Sequence, residues 1–205
     1  YACCPQRFEF SILRGHPGLG EGIAIAGRIG TLVHKALESG IRDIEALARF
    51  DPGMGRESIE EAIVLAQQFD RHPSYASVRE GITAQEQNIR LTFAGLTFNG
   101  RVDAIGEDWV LDFKTDREFA PEYHRFQLWA YAEAVGAKVA RIAYLRHDLL
   151  HTFGAKDLAV TSKEAATLVG QILAGDYTAT PSSEVCRVCP YTEICEFADG
   201  AGDRE

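Results

Sequence analysis

The tightest constraint on this chain lies in residues 98–116. Two short apolar runs, 98–105 and 109–115, flank a turn made of Gly106, Glu107 and Asp108. Strand, polar turn, strand is the pattern of a β-hairpin. The first run carries Asp103; the second carries Asp112, with Lys114 two residues on. Positions i and i+2 of a strand share a face, so Asp112 and Lys114 project together and the hairpin can bring Asp103 beside them. Charges gathered near a core are costly unless something compensates them. A divalent metal is one answer, because hard cations take carboxylate oxygens. An edge-strand salt bridge between Asp112 and Lys114 is the plain alternative, and the choice depends on what the rest of the chain supplies.

The 205 residues suit one domain, 1–205. With 46% hydrophobic and 25% charged residues, the composition is that of a globular protein able to bury a core. No apolar run reaches the length of a membrane span and no signal peptide is visible, so a cytoplasmic protein without membrane contact is expected. The chain opens at Tyr1 rather than Met, which fits a piece of a longer protein. A net charge of −9 argues against broad electrostatic attraction to nucleic acid. A nucleic-acid enzyme of this charge needs a local basic patch.

Five cysteines, Cys3, Cys4, Cys186, Cys189 and Cys195, sit at the two ends. A secreted disulfide scaffold would spread its cysteines through a shorter chain, so ligation of a metal or cluster is the better reading. Cys186 and Cys189 form a C-x-x-C, Cys195 follows, and either Cys3 or Cys4 can supply a fourth thiolate. Zinc and an iron–sulfur cluster both take four thiolates, and spacing does not choose between them.

In chain order, residues 1–8 lead into a helix or turn, and the Gly-rich residues 14–28 are expected to form a loop. Helices are expected over Gly30–Ser39, where Ile29, Leu32, Val33, Ala36 and Leu37 keep helical spacing, and over Ile41–Phe50. A third runs from Ser58 to about Arg71, striped by Ile59, Ile63, Ala66 and Phe69. Strands are expected at 83–93, 95–105, 109–115, Val139–Arg146 and 149–153. A helix runs from Pro121 to about Val135 and ends at Gly136; another spans Ser162–Leu173 with Ser162 as N-cap. A cysteine-bearing loop and an acidic end, expected to fray, close the chain. The order predicts an α/β fold with a mixed central sheet flanked by helices. His34 falls mid-helix, and Gln127 and Tyr131, four apart, share a helix face. Taken singly, each reads as an ordinary packed or surface residue.

Together these residues resemble the RecB-like branch of the PD-(D/E)XK nucleases, in particular its iron–sulfur members, such as the CRISPR-associated Cas four nuclease and the nuclease domains of AddB-type helicase–nucleases. Tyr1-x-x-Cys4-Pro5-x-Arg7-Phe8 is similar to the opening cysteine motif, and Gly30-Thr31-x-x-His34 to the histidine motif. Gly100-Arg101-Val102-Asp103 and Asp112-Phe113-Lys114-Thr115 are similar to the acidic motifs. Gln127-Leu128-Trp129-Ala130-Tyr131 is similar to the Q-x-x-x-Y motif, and Cys186, Cys189 and Cys195 to the closing triplet. Six motifs in order cover nearly the whole chain.

The resemblance implies a restriction-endonuclease-like core at about 29–175 and ends, 1–10 and 181–198, joined by a 4Fe–4S cluster on Cys4, Cys186, Cys189 and Cys195. It implies a magnesium or manganese ion held by His34, Asp103, Asp112 and the Phe113 carbonyl. Lys114 would orient water or neutralise charge, while Gln127 and Tyr131 steady the site. Glu86 lies where some members carry an acid. The implied activity is metal-dependent hydrolysis of DNA, as an exonuclease on single strands or free ends, in CRISPR adaptation or recombination and repair. The alternatives are a DNA-binding or end-processing module of a larger helicase–nuclease or CRISPR integrase assembly, with little activity alone, and a zinc-stapled interaction domain without catalysis.

Overall fold

Five strands form one sheet in chain order: β1 (Ala84–Phe93), β2 (Leu96–Ile105), β3 (Trp109–Lys114), β4 (Val139–Tyr144) and β5 (Leu149–Phe153). β3 and β4 run parallel; every other neighbouring pair is antiparallel, so the sheet is mixed. The structure is a computed structural model that describes residues 1–18, 21–187 and 189–198, without the side chains of 21–24. Its helices are α1 (Pro5–Phe8), α2 (Glu21–Ser39), α3 (Ile44–Ala48), α4 (Arg56–Arg71), α5 (Ala76–Arg79), α6 (Arg125–Val135), α7 (Ala155–Leu173) and α8 (Ser183–Arg187). The chain divides into two compact units, Ala24–Lys163 and the combined segments Tyr1–Ile23 and Glu164–Glu205. Among the described residues no helix is long and apolar enough to cross a membrane.

In the unit Ala24–Lys163, alternation along β3 separates two layers. Trp109, Leu111 and Phe113 join Ile29, Leu32, Val33 and Ala36 of α2 and Ile59, Ile63, Ala66 and Phe69 of α4 in one buried cluster. Phe69 meets the Phe113 ring edge-on at 4.7 Å. Fully burying each large side chain stabilises by roughly 1.5–3 kcal/mol, which is why the helical stripe read from the sequence survives as core. Val110 and Asp112 are buried outside that cluster and belong to the opposite face. There α6 packs on β1 to β4, with Leu128, Trp129 and Ala132 buried. This helix is also the crossover that a parallel β3–β4 pair requires. Gly136 ends it at φ +75°, the left-handed C-terminal position expected of it.

The β2–β3 hairpin has the predicted turn. The Gly106 amide donates to the Trp109 carbonyl at 2.9 Å. A Cβ on Gly106 would stand 2.1 Å from the Trp109 indole, so only glycine lets that ring fold back over the turn.

Four elements differ from the sequence reading. Part of the expected 14–28 loop is helix, since α2 begins at Glu21. Gly27 and Gly30 cost about 1 kcal/mol each in a helix interior, but the apolar stripe of α2 outweighs them. The second helix shrinks to α3, where the Asp43 carboxylate caps by accepting from the Ala46 amide at 2.9 Å. Ser162 lies inside α7, which begins at Ala155. There Asp157 reaches back to accept from the Gly154 amide at 2.8 Å, as the third residue of a capping box does. The cysteine-bearing loop carries the short helix α8. The acidic end, 199–205, lies outside the described residues.

Candidate metal centre

His34 Nδ1 lies 3.2 Å from Asp103 Oδ1 and 4.0 Å from Glu86 Oε1. The helix α2 supplies the imidazole, and the paired strands β1 and β2 supply the two acids. One donor atom from each residue falls within 4.8 Å of the others. Two hard oxygens and an imidazole nitrogen at that separation suit a small divalent cation. The other imidazole nitrogen, Nε2, faces the Phe113 carbonyl at 3.2 Å. Donation to that carbonyl would fix the ring and leave the Nδ1 lone pair toward the acids, the usual way a ligating histidine is oriented.

Backbone geometry marks Glu86 in its own right. Its φ is +51°, in the left-handed region. A side chain there costs on the order of 1–3 kcal/mol. The β1–β2 register passes from Gln85 opposite Ala104 to Gln87 opposite Val102, with the intervening Glu86 and Asp103 left out of the ladder. The local distortion aims both carboxylates at His34.

Asp112 is buried and sits beside this group. Its Oδ2 lies 2.7 Å from Lys114 Nζ, and its Oδ1 accepts from Gln127 Nε2 at 3.2 Å. Gln127 also accepts from Lys114 Nζ through Oε1 at 3.1 Å and donates to the Tyr131 hydroxyl at 2.7 Å. The i, i+4 spacing on α6 thus sets Tyr131 beside Gln127, which reaches Asp112. His34, Asp103, Asp112, Phe113, Lys114, Gln127 and Tyr131 all line one cavity of about 440 Å³.

The charges respond to one another. Burial works against protonation of His34, but Asp103 above all, with Asp112 and Glu86, outweighs it and raises the imidazole pKa. Burial, then the charge of Asp103, raises Glu86. Burial raises Asp112 as well, against the pull of Lys114. Tyr131 is pushed up to about 12, chiefly by burial. Clustered acids that resist ionising are what a cation would relieve.

The sequence reading placed Asp112 and the Phe113 carbonyl among the metal ligands. In the structure the compact donor set is His34, Glu86 and Asp103; Asp112 lies against Lys114 and Gln127, and the Phe113 carbonyl against His34, both lining the same cavity as His34 and Asp103. The signal for Glu86 was present: it is the sole acid of the β1 segment 84–93.

In the unit formed by the two chain ends, Cys4, Cys186, Cys189 and Cys195 line a single pocket. Cys4 precedes Pro5 at the start of α1. Burial alone would raise its thiol, but amide donors from Thr180, Arg7 and Gln6 outweigh that and hold its pKa low. Burial raises Cys195, helped by Cys4, Cys189 and Cys186. Cys3 is exposed. No three of these sulfurs all lie within 4.8 Å of one another, so the geometry does not itself support the expected 4Fe–4S cluster.

Fold and donor set together define a class: a mixed-sheet α/β protein with a candidate acid–histidine metal centre beside its hairpin. A model of the PD-(D/E)XK nuclease superfamily matches residues 1–196, and the chain belongs to that superfamily. Membership places it among phosphodiester hydrolases that use divalent metals. Among solved structures, a candidate exonuclease from Eubacterium rectale is similar over 98% of this chain and 81% of that one, at 14% identity and a TM-score of 0.62. At that identity the likeness is one of fold. SSO0001 is 16% identical over 94% of this chain and 81% of that one, with a TM-score of 0.46, too loose to pair residues. No curated protein matches the chain.

Proposed function

We propose that the chain is a magnesium- or manganese-dependent deoxyribonuclease acting on single strands or free ends. The observation that carries this reading is the convergence of His34, Glu86 and Asp103, with His34 and Asp103 lining one open cavity together with Asp112 and Lys114. His34, Glu86 and Asp103 would hold the cation, with Asp112 next to them. When bound, such a cation polarises a phosphoryl oxygen and makes water more acidic.

The chain's own groups do the rest. Lys114, 17% exposed and fixed by Asp112 and Gln127, places an ammonium where negative charge develops as water bonds to phosphorus and the sugar oxygen leaves. Gln127 holds the lysine and the acid in register, and Tyr131 anchors Gln127. The test is cleavage of end-labelled single- and double-stranded DNA, blocked at either end, with manganese. Asp112→Ala and Lys114→Ala abolish cutting while the fold persists; undiminished cutting by both refutes the reading. The net charge of −9 favours a variant of it, in which a helicase or integrase partner delivers the DNA. Activity that emerges only with such a partner would support that variant.

The thiol pocket would hold a 4Fe–4S cluster on Cys4, Cys186, Cys189 and Cys195. What supports a four-thiolate site is the one pocket that all four cysteines line, a donor set that zinc and an iron–sulfur cluster both take. The cluster would tie the first residues to the last. By analogy with a disulfide closing so long a loop, that constraint is worth at most about 5 kcal/mol. Metal analysis decides: iron lost in Cys189→Ala supports the cluster, and stoichiometric zinc in a colourless protein overturns it.

A further inference from the structure

The catalytic reading leaves one question: how a chain of net charge −9 holds a polyanion. The hairpin β1–β2 answers it. Beyond the candidate metal centre, residues 87–102 contain no acid and two arginines, Arg90 and Arg101. Asn88 pairs across the ladder with Arg101, Arg90 with Asn99, and Thr92 with Thr97. All six of these residues are exposed. Their neighbours Leu91, Phe93 and Gly100 turn the other way, Phe93 against Trp129 and Gly100 against Tyr131.

The exposed rungs are tied to one another and to the metal centre. Arg101 Nε lies 2.7 Å from Glu86 Oε2, with the Arg101 side chain 48% exposed. Arg90 Nε donates to Asn99 Oδ1 at 3.1 Å, and the Thr92 and Thr97 hydroxyls lie 3.3 Å apart. The rungs therefore start at a candidate metal ligand and continue outward as a line of nitrogen and hydroxyl donors.

We propose that this face is a track for the sugar–phosphate backbone of a single nucleic-acid strand, which it leads into the metal centre. The inference rests on the nuclease reading for its direction but not for its binding chemistry. Successive same-face positions on a strand are about 6.8 Å apart, a step comparable to that between phosphates of an unstacked single strand. One line of donors grips one backbone, where a duplex would present two. The track offers charge and hydrogen bonds without a stacking aromatic, so it holds the backbone and tolerates any base. Arg90 stands about 14 Å along the strand from Glu86, so only a strand longer than about two nucleotides reaches it from the centre.

The experiment is binding of fluorescein-labelled oligothymidylate by anisotropy in calcium, across a salt series, with wild type and Arg90→Glu, an exposed position outside the catalytic machinery. Arg90→Gln and Thr97→Glu serve as milder and more distant variants, and circular dichroism checks each fold. The expected result is affinity for a twelve-nucleotide strand down by about tenfold or more in Arg90→Glu. In Arg90→Gln the slope of log K against log salt falls by about 0.7, one single-strand phosphate contact. Manganese affinity by calorimetry stays at wild type, and a dinucleotide binds all variants alike. Unchanged binding of the long strand by Arg90→Glu and Thr97→Glu overturns the track, as does equal loss for the dinucleotide. Weakened binding in a protein that never cuts DNA would sink the nuclease reading and leave the track standing.

Discussion

The Phe113 amide donates to Asp103 Oδ2 at 2.7 Å, just beyond the last paired residues of β2 and β3, Ala104 and Leu111. A continued ladder would set Asp103 opposite Asp112, two acids face to face. Instead a side chain takes the amide, the strands part, and the cavity opens between them. This bond gives Asp103 a structural duty beside the one proposed for it toward a cation.

The two duties separate by substitution. Asp103→Ala leaves a buried amide without its acceptor, at a cost of about 1–3 kcal/mol. Asp103→Asn keeps an acceptor oxygen and loses less stability, yet both variants lose manganese affinity. Urea unfolding alongside manganese titration reads the two effects; equal stability loss in both variants would deny the amide its role.

Glu86 reverses the normal ranking of glycine and alanine. At an ordinary position, alanine is favoured through the unfolded chain. At φ +51° a Cβ is strained, and Glu86→Gly is expected to be more stable than Glu86→Ala by about 1–2 kcal/mol. Both lose the rise in melting temperature that manganese gives the wild type. Paired melts with EDTA and with manganese decide it, and alanine outranking glycine would place Glu86 in a relaxed backbone.

Gln127 touches Lys114, Asp112 and Tyr131 at once. Gln127→Leu keeps much of its volume and removes all three contacts. On the nuclease reading, kcat falls about 10–100-fold, the range seen when an orienting partner is lost, while KM for a long strand moves little. A change confined to KM would reassign Gln127 to DNA binding.

Asp116 gives a pH signature away from the metal donors. Its Oδ2 lies 2.7 Å from His124 Nε2, and that bond, against burial, holds its pKa below the usual carboxylate value. An acid depressed in the fold stabilises above its unfolded pKa, and the gain is lost as pH falls through the folded value. The side chain is 44% exposed, so the effect is small and salt-sensitive. Wild type should melt above Asp116→Asn at pH 6, and the gap should close below about pH 4, where unfolded aspartate protonates. A gap constant down to pH 2.5 would remove the pair from the stability of the fold.

Much of this was legible in the sequence, for identifiable reasons. The hairpin showed itself because its turn, its apolar alternation and its charged pair agree, and the α4 stripe because Ile59, Ile63, Ala66 and Phe69 repeat at helical spacing. The i, i+4 pair Gln127 and Tyr131 carried its geometry in its spacing. The start of α2 was hidden by glycines that tertiary packing overrides. The start of α7 was hidden because its cap is a backbone amide met by Asp157, whereas Ser162 offered a more familiar signal. Glu86 showed as the sole acid of its strand, but its left-handed backbone could not be read, since that is a property of the folded sheet. Nor could the engagement of Asp112 by Gln127, which depends on where the crossover helix lands.

The cage around His34 draws on one helix and two strands that are strangers in the chain until the hairpin zips onto α2. A half-made copy on the ribosome owns a histidine and an acid but no grip on a cation. On the reading proposed above, a blade aimed at genetic material exists only in the assembled fold, and a misfolded copy is blunt rather than rogue.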